Sequence, residues 1–331
     1  MFDKKKILIT GGTGSLGQAL TERLLTLNID SIRIFSRNEN KQVIMNEKFQ
    51  DNRLRYIIGD IRDKSRLQHA LEDVDIVFHA AALKHVPVIE HNAFEAINTN
   101  VIGAQNVITS CLEENVEIVV GIGTDKAVSP LNTYGATKLL MEKLFVTASN
   151  NMNPERHKTK FIALRYGNVL GSSGSVIPKF VEQIKQGRKI TITDPTMTRF
   201  SISMNEALDF ILNAAITGKN SEVHIPKLRA YSIEEVKAAL VEILNDPGEE
   251  RIPVRQGEKF HEILISKDEM RTTLEGKSEY IVLQNWLSDN QISKSYPNMT
   301  RMNLERTYSS DQVEKISKEE LKQILKNEEL T

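Results

Sequence analysis

Tyr134 and Lys138 stand four residues apart, so on a helix they share one face. A free phenol is a poor base because its pKa lies near ~10. A nearby ammonium stabilises the phenolate and lowers that value, and the same lysine can hold ribose hydroxyls. Thr124, at the end of a predicted strand just upstream, is placed to hydrogen-bond a reacting hydroxyl. These three residues suit the removal of an alcohol proton while a neighbouring acceptor takes the hydride from carbon. Spacing of the type Y-x-x-x-K is common by chance. It gains weight here from a glycine-rich turn earlier in the chain.

That turn is Thr10-Gly11-Gly12-Thr13-Gly14-Ser15-Leu16-Gly17, which joins a strand to a helix. Gly11 allows the tight turn, Gly14 lets backbone N–H groups approach a pyrophosphate, and Gly17 permits close helix–strand packing. The expected cofactor contacts in this stretch are Thr10, Gly11, Thr13, Gly14, Ser15, Leu16 and Gly17. The second strand ends at Ser36-Arg37, about 20 residues on, where an NAD enzyme carries an acid. Ser36 and Arg37, helped by Lys41, offer donors and positive charge instead, so NADP is expected over NAD. Asp60, followed by Ile61, ends the third strand and either accepts from the adenine amino group or caps a helix. His79-Ala80-Ala81-Ala82 ends the fourth strand in small residues against which a flat cofactor can lie. Lys84 and His85 follow, either of them placed to touch cofactor or substrate, although a turn histidine is more often structural. Asn100 is read as a structural tie between backbone segments.

Short β-branched runs at 6–10, 31–35, 55–59, 75–79, 117–121 and 160–166 alternate with helical spacing at 15–27, 64–70, 93–115 and 133–150. Such alternation implies a parallel sheet with helices on both faces. The fold class is therefore α/β, a Rossmann-type doubly wound parallel sheet with a smaller mixed α/β substrate-binding lid. Residues 1–167 are expected to form the cofactor-binding domain with the catalytic residues. Residues 168–331 are expected to form mainly the lid, with segments returning to the core. In this second half strands are expected at 189–192, 222–225 and 251–254, and helices at 175–186, 204–217 and 232–244. A polar stretch at 289–306 precedes a charged amphipathic helix at 315–327.

With these residues in place, the chain resembles an extended short-chain dehydrogenase/reductase. More narrowly it is similar to the bacterial UDP-N-acetylglucosamine 4,6-dehydratases, including the C5-inverting enzymes of pseudaminic acid and capsular deoxy-sugar synthesis. The resemblance is carried by residues 10–17, 35–37, 79–87, 124–138, 165–178, 194–200 and 255–262, which stretch over about four-fifths of the chain. It implies that Asp125 and Lys126 form a second acid/base set. Tyr134, assisted by Lys138 and Thr124, removes the C4 hydroxyl proton as hydride passes to NADP⁺. Lys126 takes the C5 proton and Asp125 protonates the leaving water, after which hydride returns to C6 and a proton to C5. The cofactor is then recycled and stays tightly bound. Lysine acting as a base needs a depressed pKa, which burial beside the nicotinamide and Lys138 would supply.

The resemblance further implies that Asn168, Ser175 and Val176 hold the nucleotide diphosphate, together with Lys84. Arg199 and Arg255 grip its phosphates, and Glu258 binds the sugar or orients Arg255. Three residues depart from the family pattern: Ser173 replaces an arginine, Gly123 a serine and Gln256 a proline. Association through 93–115 and 133–150 into a dimer or hexamer is also implied.

Composition agrees with an enzyme of the cytoplasm. Apolar residues make up 40% of 331 and charged residues 26%, with a formal net charge of -1. No global field attracts nucleic acid or an anionic membrane. The single cysteine, Cys111, excludes an internal disulfide and reads as a buried helix residue. No run has the ~20 apolar residues of a spanning helix, no secretory leader is read at the start, and no metal is expected. A nucleotide-sugar 4-epimerase, which lacks the need for Asp125-Lys126, and a catalytically silent NADP-binding protein are the competing readings.

Overall fold

The computed structural model describes residues 1–153, 155–172, 174–303, 307–328 and 330. The first half delivers the expected alternation. Strands β1 (Lys6–Thr10), β2 (Ser31–Ser36), β3 (Leu54–Ile58), β4 (Ile76–His79), β5 (Ile118–Ile122) and β6 (Lys160–Leu164) run parallel. Every residue of β4 and β5 is buried, as a sheet covered on both faces requires. Helices α1 (Ser15–Leu25), α2 (Glu39–Phe49), α3 (Lys64–Leu71), α4 (Val86–Glu90), α5 (Ala93–Ala96), α6 (Gly103–Glu113) and α7 (Thr133–Ala148) connect them. Leu67, Val107, Cys111, Met141 and Phe145 pack from α3, α6 and α7 onto one face. Leu20, Leu24 and Met45 pack from α1 and α2 onto the other. Cys111 is fully buried, and burial pushes its thiol far above the usual range. It is a core residue.

The second half begins with β7 (Asn168–Val169), α8 (Val176–Lys185), β8 (Ile190–Ile192) and β9 (Thr198–Ile202). Helix α9 (Met204–Thr217) and strand β10 (Glu222–Pro226) then leave the lid. Ala207, Leu208 and Ile211 of α9 join the core beside α1, and β10 pairs parallel with β6. Next come β11 (Arg229–Ser232), α10 (Ile233–Ile243), β12 (Glu249–Arg251), β13 (Ile263–Ile265), β14 (Thr273–Glu275), β15 (Glu279–Leu283), α11 (Asp289–Ser295), β16 (Thr300–Arg301), β17 (Tyr308–Ser309) and α12 (Lys318–Asn327). Among the described residues the central sheet runs β16-β14-β15-β10-β6-β5-β4-β1-β2-β3, antiparallel from β15 outward. The polar stretch 289–306 thus contains α11 and β16, while 304–306 lie outside the described residues. The lid has its own core, where Ile177, Phe180, Ile190, Tyr231, Leu240, Leu321 and Leu325 meet.

Two local departures matter for the site. The helix expected over 93–115 is interrupted by a π-helical segment, Ile97–Ile102, between α5 and α6. Such a bulge inserts a residue into the helix and re-aims the side chains beyond it. Asn100 within it is buried. Its Oδ1 accepts from Leu83 N at 2.8 Å, and its Nδ2 donates to Leu83 O at 3.0 Å and Thr137 Oγ1 at 3.0 Å. It ties the chain after β4 to α7. Helix α7 starts where Asn132 caps it, Oδ1 accepting from Gly135 N at 2.8 Å, which satisfies one orphan N–H. No helix among the described residues is long and apolar enough to cross a membrane.

Candidate active site

A cleft of ≈ 800 Å³ opens at the carboxyl ends of the parallel strands. The strand order reverses between β1 and β4, and open α/β sheets bind ligands at such switch points. Gly11, Thr13, Gly14, Ser15, Leu16 and Gly17 line it from the first turn. Gly11 has φ +70, and a Cβ there would sit 2.8 Å from Ala81 Cα, so only glycine lets the turn approach the chain after β4. Helix α1 has no side-chain cap at Gly14, which leaves its first N–H groups for an anion. A dinucleotide fits this cradle: glycine backbone at the pyrophosphate, small Ala80 and Ala81 beside it, and Lys84 further on.

Ser36, Arg37, Lys41, Asp60 and Ile61 line the far end of the same cleft. Arg37 Nη1 lies 3.8 Å from Asp60 Oδ2, its side chain more than half exposed. Asp60 is held by Arg62 at 2.7 Å. Burial raises its pKa, but Arg62 and then Arg37 win and hold the carboxyl below its ordinary value. The helix-cap alternative for Asp60 falls, because Asp63 caps α3.

The acid/base residues converge on the cleft. Thr124, Asp125, Lys126, Tyr134 and Lys138 all line it. Asp125 is fully buried; its Oδ1 accepts from Thr124 Oγ1 at 2.8 Å and Lys126 Nζ at 3.1 Å. Its Oδ2 is buried without a hydrogen-bond partner. Lys126 also pairs with Glu262 Oε1 at 3.3 Å. Burial penalises the Lys126 ammonium, yet Asp125 and Glu262 overcome it and raise the pKa well above the ordinary value. The expectation of a depressed Lys126 is therefore corrected: two carboxylates hold it charged.

Lys138 takes the opposite course. Burial lowers its pKa to about 8, with Glu142 opposing. Its Nζ donates to Ile122 O at 2.6 Å and to Met141 Sδ at 3.0 Å. For Tyr134 burial raises the pKa, and the cation that pulls it back is Lys126, with help from the Thr124 hydroxyl. The expectation that Lys138 tunes the phenol is corrected on this geometry.

At the lid end Asn168, Ser172 and Ser175 line the cleft. Ser175 starts α8 without a side-chain cap bond, and Ser175 Oγ and Asn168 Oδ1 are buried and unpartnered. Ser173 lies outside the described residues. Thr10, Val176, Arg199, Arg255 and Glu258 do not line the cleft. Thr10 is buried behind it, Oγ1 bonded to His79 Nδ1 at 2.8 Å, so it braces β1 against β4. Burial and the Lys138 charge drive the His79 pKa down to about 3, which keeps the ring neutral. Arg199 is buried and donates to Thr198 O at 2.9 Å, Phe260 O at 3.1 Å and Glu258 Oε1 at 3.4 Å. Arg255 is exposed on the turn that docks on α7, where Asn132 Nδ2 donates to Gly257 O at 2.8 Å. Glu258 Oε2 accepts from Arg255 N at 3.4 Å. Sequence reasoning missed Glu262 and the cleft-lining Thr99, whose Oγ1 is buried and unpartnered. A lone Glu on a loop carries no local signature. Thr99 had one, lying beside Asn100.

Residues 7–284 match the family described as "Polysaccharide biosynthesis protein". The chain belongs to that family. It is 47% identical over 284 residues, 85% of this chain and 84% of the other, to "UDP-N-acetylglucosamine 4,6-dehydratase (inverting)" of Campylobacter jejuni subsp. jejuni. It is 40% identical over 330 residues, 98% of this chain and 96% of the other, to a protein named "UDP-glucose 4-epimerase" in Rickettsia massiliae. The solved structure titled "X-ray structure of Pen from Bacillus thuringiensis" superposes with a TM-score of 0.93 at 38% identity, covering 100% of both chains.

Proposed function

We propose that the protein is an NADP-dependent UDP-N-acetylglucosamine 4,6-dehydratase, a hydro-lyase that inverts C5 and yields a UDP-2-acetamido-2,6-dideoxy-4-hexulose. The observation that carries this reading is the Asp125–Lys126 pair, 3.1 Å apart in the cleft that also holds Tyr134 and Thr124. A 4-epimerase has no proton to move at C5 and no hydroxyl to expel at C6, so this second pair would be idle in one.

The residues divide the work. Tyr134, with Thr124 beside it, takes the C4 hydroxyl proton. Bound nicotinamide supplies a reversible hydride store, filled from C4 and emptied at C6, so no net redox occurs. The ketone then acidifies C5–H. Lys126 and Asp125 between them hold one proton. Its passage from Lys126 Nζ to Asp125 Oδ1, across 3.1 Å, yields a neutral amine and a carboxylic acid. The amine removes the C5 proton, and the acid protonates the departing C6 hydroxyl. Both groups thereby regain their resting charges, and the proton that Tyr134 took from the C4 hydroxyl balances the one returned to C5. Glycines 11, 14 and 17 with Ser36, Arg37 and Lys41 would hold the cofactor. The α8 start at Ser175 with Asn168 would hold the diphosphate. Residues 1–167 supply the cofactor half, and the lid, 168–202 with 229–265 and 308–327, the sugar half. Phe94, 84% exposed, with Val88, Ile97, Ile102, Leu131 and Leu140, forms the apolar face through which we infer a homo-oligomer.

Incubation with UDP-N-acetylglucosamine and no added reductant tests the reading. The expected product is lighter by one water and carries deuterium at C5 when made in heavy water. Lys126→Ala is expected to stop both changes while cofactor stays bound. A C4 epimer of unchanged mass would make the protein an epimerase. Absence of reaction with any UDP-sugar would leave a silent cofactor-binding protein.

A further inference from the structure

Glu262 is 3% exposed, and a buried carboxylate is costly unless a cation meets it. Backbone pairing fixes its place. Glu262 N donates to Ser310 Oγ at 2.9 Å, Ser310 N donates to Glu262 O at 2.8 Å, and neighbouring His261 bridges to Thr198. From this clamp its Oε1 reaches Lys126 Nζ at 3.3 Å. Arg199 Nε and Lys259 Nζ stand farther off, each at 3.9 Å. Lys259 is already committed to Val128 O at 2.5 Å, and Arg199 to the carbonyls of Thr198 and Phe260. Lys126 is thus the cation closest to Glu262 and the one whose position depends on it most.

The dependence runs both ways. Without Glu262, Lys126 has only Asp125, its neighbour in sequence, which also accepts from Thr124. A lysine on a flexible four-carbon stem can keep one such contact while its ammonium swings. A second anchor 136 residues away, mounted on a rigid clamp, removes that freedom. We propose that Glu262 is a positioning residue for the elimination step, holding the Lys126 ammonium between itself and Asp125 so that the amine faces C5. This rests on the dehydratase reading above. Glu262 does not line the cleft, so it acts through Lys126 and not on the sugar.

Glu262→Gln keeps the shape and removes the charge. A misplaced base costs up to about 10²-fold, so turnover is expected to fall roughly tenfold to a hundredfold with KM little changed. The decisive signal is spectroscopic. Oxidation at C4 uses Tyr134 as the base and Lys126 only as a nearby charge, which Glu262→Gln leaves on the lysine, whereas elimination uses Lys126 itself. The near-ultraviolet absorbance of reduced nicotinamide is therefore expected to build up in Glu262→Gln before water is lost. C5 deuterium incorporation is expected to lag with it. A merely structural role would slow oxidation and elimination together; that result, or a variant with wild-type rates, overturns the inference. Glu262→Asp keeps the charge on a stem one methylene shorter and is expected to show the same uncoupling more weakly. It decides the matter if Glu262→Gln does not fold, because wild-type partitioning in Glu262→Asp also overturns the inference. A wild-type protein that makes no keto product overturns both readings, whereas an active wild type with coupled variants overturns this one alone.

Discussion

Two lysines of one residue type line the same cleft, and their surroundings drive them apart. Burial lowers Lys138, which meets a carbonyl and a thioether, to about 8, whereas two carboxylates raise Lys126 against its own burial. Near neutral pH the first gives up its proton easily, and the second only by handing it to Asp125. That division was not legible in the sequence. The residue types were in view, but the partner that sets Lys126, Glu262, lies 136 positions away. The cofactor end has a local signal: β2 closes on Ser36 and Arg37, not on an acid. Arg37 there is loosely paired, 3.8 Å from an Asp60 that Arg62 already holds at 2.7 Å. Its guanidinium is therefore available to a 2′-phosphate. Hydrogen bonds to charged groups are worth ~1.5–3 kcal/mol, and each ~1.4 kcal/mol is tenfold in affinity. Arg37→Ala, titrated after stripping the cofactor, is expected to weaken NADP binding about tenfold or more and to leave NAD nearly unchanged. Equal loss for both would show that Arg37 does not read the phosphate.

At the scale of elements, the end of β5 carries the site. Gly123 follows Ile122, and a Cβ there would run into the Leu164 carbonyl oxygen at the end of β6. The serine common in the resembling enzymes cannot be added here without parting β5 from β6. The glycine therefore draws the two strand ends together instead of loosening them, and Thr124 and Asp125 follow at once. Overpacking costs typically 1–3 kcal/mol. Gly123→Ser is expected to lose about that much stability in chemical denaturation and to lower turnover by shifting Thr124 and Asp125. An unchanged denaturation midpoint would show that β6 yields without cost. The helices show where local pattern stops informing. Helix α1 was readable because a glycine turn opens it. Helix α2 was missed because its eleven residues are mostly polar and only Gln42 and Met45 are buried. The π-helical break at 97–102 was missed because the hydrophobic period runs on through it. The break is fixed by the bonds of Asn100 to Leu83 and Thr137, which are tertiary.

Across the whole molecule, sequence order and spatial order part company after β7. The run at 222–225 reads as a short lid strand, yet it is β10 in the central sheet, and the chain returns there again through β14 to β16. Nothing in so short a run says which sheet it joins; pairing with β6 and burial of Val223 and Ile225 beside α7 decide it. The junction between the parallel and antiparallel parts of the sheet encloses a titratable cluster. On β10, His224 Nε2 lies 2.9 Å from Glu222 Oε2, and its Nδ1 lies 2.9 Å from Glu279 Oε2 on β15. Tyr296 Oη donates to Glu222 Oε1 at 2.5 Å. Burial works against the imidazolium, but the two carboxylates prevail and raise His224 to about 9 from 6.5. A histidine raised on folding stabilises fully below its unfolded pKa, and that contribution is lost as pH climbs through the folded value. The loss is therefore expected between pH 6.5 and 9. Lys138, lowered to about 8 from 10.5, acts with the opposite sign, its penalty fading between those two values. The comparison of wild type with His224→Gln cancels the lysine, since both proteins carry it. The stability difference from denaturant melts is expected to be largest at about pH 6 and to shrink steadily toward pH 9. A difference that stays constant across that range would mean that folding does not shift the His224 pKa, and that the two carboxylates do not stabilise its charged form.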